Sequence, residues 1–179
     1  TQIEVIDMRG LPFPERELNQ LLEGHPEMLV WAEGPGTEVL PGKPRYVLTA
    51  CEQLAIWTSP PTQNVLEEAL RATHPKKVIV FGLEPPQKTP LGLLERLGGL
   101  VKYAIQHKGG ETTLTKLAGA CAAEVEVIQV GLKLWEAMGK LEVNQEGDRV
   151  TVSPSSSAPD QSNVKIYSEI FQALIGETN

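Results

Sequence analysis

The spacing of apolar side chains after residue 90 predicts a helix that begins a compact second half of the chain. Leu97, Val101 and Ala104 recur at helical spacing. A glycine pair, Gly109 and Gly110, follows and ends the helix, because glycine is the commonest residue beyond a helical C-terminus.

Two further helices and a hairpin follow this first helix. Thr113 stands where the N-cap of a short helix belongs, and residues 124–138 have a helical period that ends at Gly139. Two short alternating segments, residues 141–143 and 149–152, then predict a pair of strands joined by a turn. Helix, helix, helix and hairpin in this order predict a winged helix-turn-helix with a two-stranded wing.

The first half of the chain alternates short apolar segments with amphipathic ones. Strand and helix in alternation are typical of a parallel sheet covered by helices, so we predict a small parallel α/β sheet. Residues 34–44 are rich in Gly and Pro and receive no assignment, whereas residues 45–53 fit either a strand or helical turns. The predicted strands are residues 3–6, 28–32, 54–58 and 78–81, and the predicted helices are residues 14–22 and 62–72.

The end of the chain reads as a polar linker followed by one amphipathic helix. The helix, residues 164–175, is too short to be stable alone, so we expect it to dock on the body of the protein. The predicted domains are an α/β subdomain (1–90), a winged-helix subdomain (91–153), a linker (154–163) and a C-terminal helix (164–179).

Composition restricts the class of protein and its compartment. The chain has 179 residues and 41% hydrophobic residues, without an apolar run long enough to cross a bilayer. It lacks an initiator Met and a signal-peptide pattern, so we expect a mature or excised piece of a longer cytoplasmic protein. Cys51 and Cys121 are isolated, which favours buried reduced thiols over a disulfide.

The net charge of −7 is unevenly distributed. Residues 1–90 carry 8 Lys/Arg against 12 Asp/Glu, residues 91–153 carry 7 against 8, and the remainder carries 1 against 3. No segment is basic, and strong autonomous binding to nucleic acid needs several cations that neutralise phosphates. The predicted winged helix is nevertheless the least acidic segment.

The residues available for catalysis are few and scattered. His25, His74 and His107 have no second ligand three or four positions away, so no metal site or cofactor is predicted in this chain. Cys51 lacks a His or Asp companion and reads as a core thiol rather than a nucleophile. No phosphate-binding glycine motif or nucleophile elbow occurs, so an independent small-molecule enzyme is disfavoured and no catalytic residue is predicted.

One polar trio, Asp7, Arg9 and Gly10, follows the first predicted strand. It reads either as a salt bridge with a turn glycine or as a site at which Arg9 contacts a phosphate or a neighbouring domain. The second interpretation follows from the position, because ligands of α/β proteins bind at the carboxyl ends of the strands.

The third predicted helix bears most directly on function. It carries a second apolar face with Val127, Val130 and Leu134, and its charged residues sum to −2. A helix that reads the major groove should present Arg, Lys, Asn or Gln outward, so we expect these apolar residues to be covered by the α/β half or to face a partner, and we favour protein contact over major-groove reading. Nucleic-acid or partner contact remains a hypothesis for six cationic residues, each of which also reads as a solvated surface charge: Lys102, His107, Lys108, Lys133, Lys140 and Arg149.

Several stretches resemble the C-terminal region of bacterial RecJ, the single-strand-specific 5′→3′ DNA exonuclease. The resemblance is carried by GLVKYAIQHKGG and VGLKLWEAMGKLEV, by VIDMRG, LVWAEG, LAIWTSPP and KKVIVFG upstream, and by the closing ALIGET. It covers nearly the whole chain, and its motifs are mostly structural.

The resemblance implies a parent nuclease that acts in DNA recombination and repair, with a Mn²⁺- or Mg²⁺-dependent core built on DHH motifs and an OB-fold for the single strand. No Asp-His-His occurs here, so no catalytic residue is carried over. The chain is then expected to be a non-catalytic module that contacts the nuclease core, repair proteins or single-stranded DNA. The alternative is a stand-alone winged-helix transcription regulator, which would need a basic third helix.

Overall fold

The computed structural model describes residues 2–85 and 89–177. The chain forms two compact units, a first unit over Thr1–Pro86 and a second unit over Gln87–Asn179. Within the described ranges, no helix combines the length and the apolar character needed to cross a membrane.

The first unit is a four-stranded parallel sheet with two helices, which confirms the predicted parallel α/β sheet. The spatial order of the strands is β1-β4-β3-β2, and every neighbouring pair runs parallel. In chain order the elements are β1 (Glu4–Asp7), α1 (Pro14–Gly24), β2 (Leu29–Trp31), β3 (Gln53–Thr58), α2 (Gln63–Thr73) and β4 (Lys77–Leu83).

Each face of this sheet is covered by one of the two helices. Leu18 of α1 is buried in a cluster with Ala55, whereas Val65 and Ala69 of α2 are buried in a second cluster with Ile56. Ala55 and Ile56 are consecutive in β3, and successive side chains of a strand point to opposite faces. Burial on both faces explains why these strands are short continuous apolar runs.

The segment between β2 and β3 has more structure than the sequence indicated. Lys43 pairs in parallel beside Trp31, and the backbone N–H of Lys43 donates to the carbonyl of Val30 at 2.8 Å. Gly42 makes this approach possible, because a Cβ there would lie 2.6 Å from Cβ of Ala32. A single 3₁₀ turn, Arg45–Val47, follows, so the ambiguous segment begins with a helical turn rather than a strand.

The second unit contains four helices and a three-stranded antiparallel sheet among its described residues. The prediction of a two-stranded hairpin is incomplete, because Glu111–Thr113 adds a strand beside the second hairpin strand. In chain order the elements are α3 (Pro90–His107), β5 (Glu111–Thr113), α4 (Leu114–Cys121), α5 (Val125–Ala137), β6 (Leu141–Glu146), β7 (Arg149–Pro154) and α6 (Gln161–Glu177).

The core of the second unit joins its helices and its sheet. Leu97 of α3, Ile128 of α5, Val150 of β7 and Phe171 of α6 are each at most 2% exposed and belong to one cluster. Glycine brings the helices close, since a Cβ at Gly131 would lie 2.7 Å from Cδ2 of Leu97 and 3.2 Å from Cε1 of Phe171. The last helix thus packs against α5, and it begins three residues earlier than predicted.

The turn of the β6–β7 hairpin is bonded to the start of α4. Oδ1 of Asp148 accepts from the backbone N–H of Thr115 at 3.0 Å and from its hydroxyl at 2.9 Å. The carbonyl of Asp148 accepts from the N–H of Leu114, and Thr113 caps the helix as predicted, accepting from the N–H of Lys116 at 3.1 Å. Backbone donors that a helix start leaves unsatisfied are therefore used to hold the hairpin.

Replacing Asp148 by Ala is expected to lower the free energy of unfolding of the second unit by about 1 kcal/mol, the usual cost of removing a helix-capping acceptor. Glu146→Ala removes an exposed carboxylate from the same hairpin and should change this free energy by less than about 0.5 kcal/mol. Thermal unfolding followed by circular dichroism compares the two variants. Equal effects would show that Asp148 does not hold the hairpin.

Candidate interaction surfaces

Arg9 lies at the carboxyl end of β1, where the sequence placed a salt bridge or a ligand contact. Its Nε and Nη2 donate to the two carboxylate oxygens of Asp7 at 2.9 and 2.8 Å, and its backbone N–H donates to the same carboxylate at 3.0 Å. Its aliphatic stem lies near the strand position of Gly82, where a Cβ would be 3.3 Å from Arg9 Cγ and Cδ. The predicted salt bridge is present, and it leaves the Arg9 side chain 66% exposed at the sheet edge.

The hydrogen bonds from Arg9 lower the pKa of Asp7 to about 2. A carboxyl whose pKa is lowered by folding stabilises the fold fully above its ordinary pKa of 3.8, and this contribution is lost as the pH falls through about 2. We expect Arg9→Met to return the pKa of Asp7 towards 3.8, measured by NMR titration of the carboxyl carbon. Arg16→Met, which removes an exposed arginine of α1, should leave that pKa low; an unchanged pKa in Arg9→Met would contradict the assignment.

A buried ion pair at the ends of β2 and β3 was not anticipated. Arg45 donates from Nη2 to Oε1 of Glu33 at 2.7 Å, and from Nε and its backbone N–H to Oε2 at 2.9 and 2.8 Å. The side chains are 10% and 2% exposed, respectively. The hydroxyl of Thr58 bonds both the N–H and the carbonyl of Glu33 at 3.0 Å, so this pair joins two strand ends to the loop between them.

Nothing in the sequence marked this pair. Glu33 and Arg45 are 12 positions apart and flank residues 34–44, the segment rich in glycine and proline that received no assignment. Because the charged groups are satisfied by each other and are enclosed, the pair is a structural anchor for the loop rather than a surface for a ligand.

The six cationic residues named as contact candidates are exposed, and they are distributed over several elements of the second unit. Lys102, His107 and Lys108 lie on the last two turns of α3 and at its C-cap. Arg149, which opens β7, lies 3.9 Å from a carboxylate oxygen of Glu111 in a neighbouring strand. The other two, Lys133 on α5 and Lys140 before β6, lie on separate elements.

The apolar face predicted to meet a partner lies largely within the protein. Val127 and Leu134 are 3% and 4% exposed, and Val130 is partly buried against the core of the second unit. Helix α6 covers α5 through Phe171, a contact that the sequence did not reveal because it depends on how the polar linker folds back. These three residues therefore leave little apolar surface on α5 for an external partner.

The outward face of α5 is acidic and partly engaged. Glu126, Lys133 and Glu136 are its exposed charged residues. The carboxylate of Glu136 also accepts a hydrogen bond of 2.9 Å from the N–H of Val143 in β6. A duplex approaching this face would meet more negative than positive charge, which opposes binding to phosphates.

An aromatic surface on α3 was missed by the sequence analysis. Tyr103 is 56% exposed, and its ring packs against the ring of His107 with centroids 4.6 Å apart and planes inclined by 38°. The sequence contained the information, because Tyr103 and His107 are four positions apart and residues four apart on a helix are neighbours on its surface. An open groove of about 470 Å³ begins at this tyrosine and is lined by Glu95, Arg96, Gly99, Leu100 and Tyr103.

The described residues hold no cluster of three or more His, Cys, Asp and Glu side chains that could bind a metal ion. Cys121 is buried, whereas Cys51 is half-buried rather than fully enclosed as expected. Burial, and to a smaller extent the charge of Glu52, raises the pKa of the Cys51 thiol. The nucleophilic thiolate is therefore less populated near neutral pH.

No family model matches the chain, and neither a curated protein nor a solved structure matches it. Among the described residues, the features that a partner can reach include the Asp7–Arg9 pair, the cationic end of α3 with its aromatic pair, and the exposed hairpin of β6 and β7.

Proposed function

We propose that this chain is a non-catalytic interaction module of a RecJ-like exonuclease, which degrades single-stranded DNA 5′→3′ in recombination and repair. The second unit is proposed to be a winged helix, with α3, α4 and α5 as its three helices and the β6–β7 hairpin as its wing. Helix α6 serves as a docking helix. The element order and the sequence resemblance support this assignment.

Helix α6 covers α5. This observation favours a role in protein or single-strand contact over the reading of duplex DNA. In a helix-turn-helix the recognition helix enters the major groove, so it needs a free and preferably cationic outward face. Here Phe171 of α6 approaches Gly131 of α5 closely enough that a Cβ at this glycine would lie 3.2 Å from the ring. Glu126 and Glu136 dominate the charge that remains exposed.

Hydrolysis belongs to the parent's nuclease core in this proposal, and the Mn²⁺ or Mg²⁺ ions would bind there. The partners of the module are the nuclease core, repair proteins and single-stranded DNA, all in the cytoplasm. The alternative, a stand-alone transcription regulator, keeps the winged helix but requires α5 to bind duplex DNA.

Titration with labelled duplex and single-stranded DNA over a salt series separates the two functions. The module should bind random-sequence duplex weakly, and Lys133→Ala on α5 should leave that affinity unchanged. Lys165→Ala, an exposed lysine of α6, is the matched control. Tight duplex binding with a steep salt dependence, weakened by Lys133→Ala alone, would instead establish the regulator.

A further inference from the structure

The last turns of α3 carry two exposed aromatic rings that pack against each other. Tyr103 is 56% exposed, and the His107 ring lies one helical turn further on, 4.6 Å away between centroids. The tyrosine lies outside the apolar core of the second unit, which α3 reaches through Leu97 and Val101. The His107 ring therefore supports the Tyr103 ring from one side, and the tyrosine remains largely exposed.

A recess adjoins this aromatic surface. The groove of about 470 Å³ runs back along α3 from Tyr103 past Gly99 to Glu95. At Gly99 the groove has no opposing wall, because a Cβ at this position would have no other atom within 4 Å. The groove is open to solvent, so a planar group can approach the tyrosine ring from this side.

The charges around the rings are arranged for a polyanion that lies along one end of the helix. Lys102 precedes Tyr103, and Lys108 follows His107; both lysines are exposed, and neither forms an ion pair with another residue in the part of the chain that the structure describes. Glu95 lies eight residues before Tyr103, about 12 Å along the helix axis. Phosphates near the lysines would therefore be well separated from this carboxylate. Glu111 is exposed three residues after Lys108, and Arg149 lies 3.9 Å from its carboxylate.

We propose that Tyr103, supported by the His107 ring that packs against it, stacks on a base of single-stranded nucleic acid, with Lys102 and Lys108 contacting the phosphates. An exposed aromatic ring flanked by cations is an arrangement by which proteins bind single strands without reading sequence. Duplexes are excluded because their base faces are already stacked. This inference rests on the proposed function and names the surface through which the module meets the exonuclease substrate.

The test measures the affinity of the full chain for a labelled oligothymidylate of about 12 nucleotides at low salt, by fluorescence anisotropy. Tyr103→Ala should weaken binding about tenfold, since one stacked base contributes about 1–3 kcal/mol, and Tyr103→Phe should retain affinity within about twofold. Tyr46→Ala removes a tyrosine that is 43% exposed in the first unit and should have no effect.

A second measurement separates stacking from attraction to the phosphates. An oligomer of the same length with abasic sites should bind at least about tenfold more weakly than the oligothymidylate. Equal affinity for the two oligomers, the absence of measurable binding, or an unchanged affinity in Tyr103→Ala would each overturn the inference.

The proposed function is judged by a different assay, so the two can fail separately. If the chain alters the activity of a RecJ-like exonuclease but Tyr103→Ala does not affect oligothymidylate binding, the stacking inference is wrong and the proposed function is retained. If the chain binds oligothymidylate through Tyr103 but leaves the activity of the exonuclease unchanged, the stacking inference is retained and the assignment to that nuclease is wrong.

Discussion

Arg45→Met is expected to destabilise the first unit by about 3–5 kcal/mol, the cost of leaving a buried charge without its partner. The Glu33 side chain is 2% exposed, and Arg45 supplies three hydrogen bonds to its carboxylate. Methionine fills part of the space and keeps the backbone N–H donor, but it lacks the two guanidinium donors. Urea unfolding followed by tryptophan fluorescence reports this loss, because Trp31 and Trp57 are both buried in the first unit.

Two variants isolate the charge from the packing. The double variant Glu33→Gln with Arg45→Met removes both charges and should regain much of the lost stability, since replacing both partners costs far less than replacing one. Arg9→Met removes an arginine whose ion pair is exposed and should leave the unfolding midpoint close to that of the unaltered protein. Equal midpoints for Arg45→Met and Arg9→Met would contradict a buried anchor.

Gly110→Ala should destabilise the second unit by about 3 kcal/mol or more. Gly110 has φ of +80°, which costs an alanine about 1–2 kcal/mol, and a Cβ would overlap the carbonyl oxygen of Val152. The backbone cannot retreat easily, because the N–H of Gly110 donates to Ala104 at 2.9 Å and its carbonyl accepts from Val152 at 2.9 Å. These bonds join α3 to the sheet of the second unit. Thermal unfolding followed by circular dichroism measures the loss.

The preceding glycine provides the control. Gly109 also has a positive φ, +64°, but a Cβ there would meet no atom within 4 Å. Gly109→Ala should therefore show the backbone cost alone, about 1–2 kcal/mol. The difference between the two alanine variants measures the overlap with Val152, and its absence would show that α3 and the sheet can separate without cost.

Local patterns sufficed for most of the elements. The apolar run at residues 78–81 is confirmed as β4, because a strand buried on both faces has no room for polar residues. Thr62 and Thr113 cap helices as predicted, since each supplies a hydroxyl to a backbone donor one turn on. These features depend only on neighbours in sequence.

Features that depend on distant partners were not predictable. Strand β5 is three residues long and polar, so no local pattern predicts it; it is a strand because it pairs with β7. The Glu33–Arg45 pair is created by the return of the chain beside β2, which no local period indicates. The coverage of α5 by α6 depends on the path of the linker.

The candidate surface was partly predictable for the same reason. The exposure of Lys102, His107 and Lys108 follows from the helical period, because the apolar stripe of α3 determines which side faces solvent. Tyr103 was overlooked because an aromatic residue in an apolar helix is readily assigned to the core. Its spacing of four residues from His107 is the feature that would have revealed the ring pair.

The most direct test of the proposed module is a nuclease assay with Mn²⁺ and a 5′-labelled single strand. It compares three samples: this chain alone, a RecJ-like exonuclease that contains it, and the same exonuclease without it. We expect the chain alone to be inactive and its removal to change the activity or processivity of the exonuclease. Hydrolysis by the chain alone would contradict a non-catalytic interaction module. So would an exonuclease whose activity and processivity are unchanged when the chain is removed.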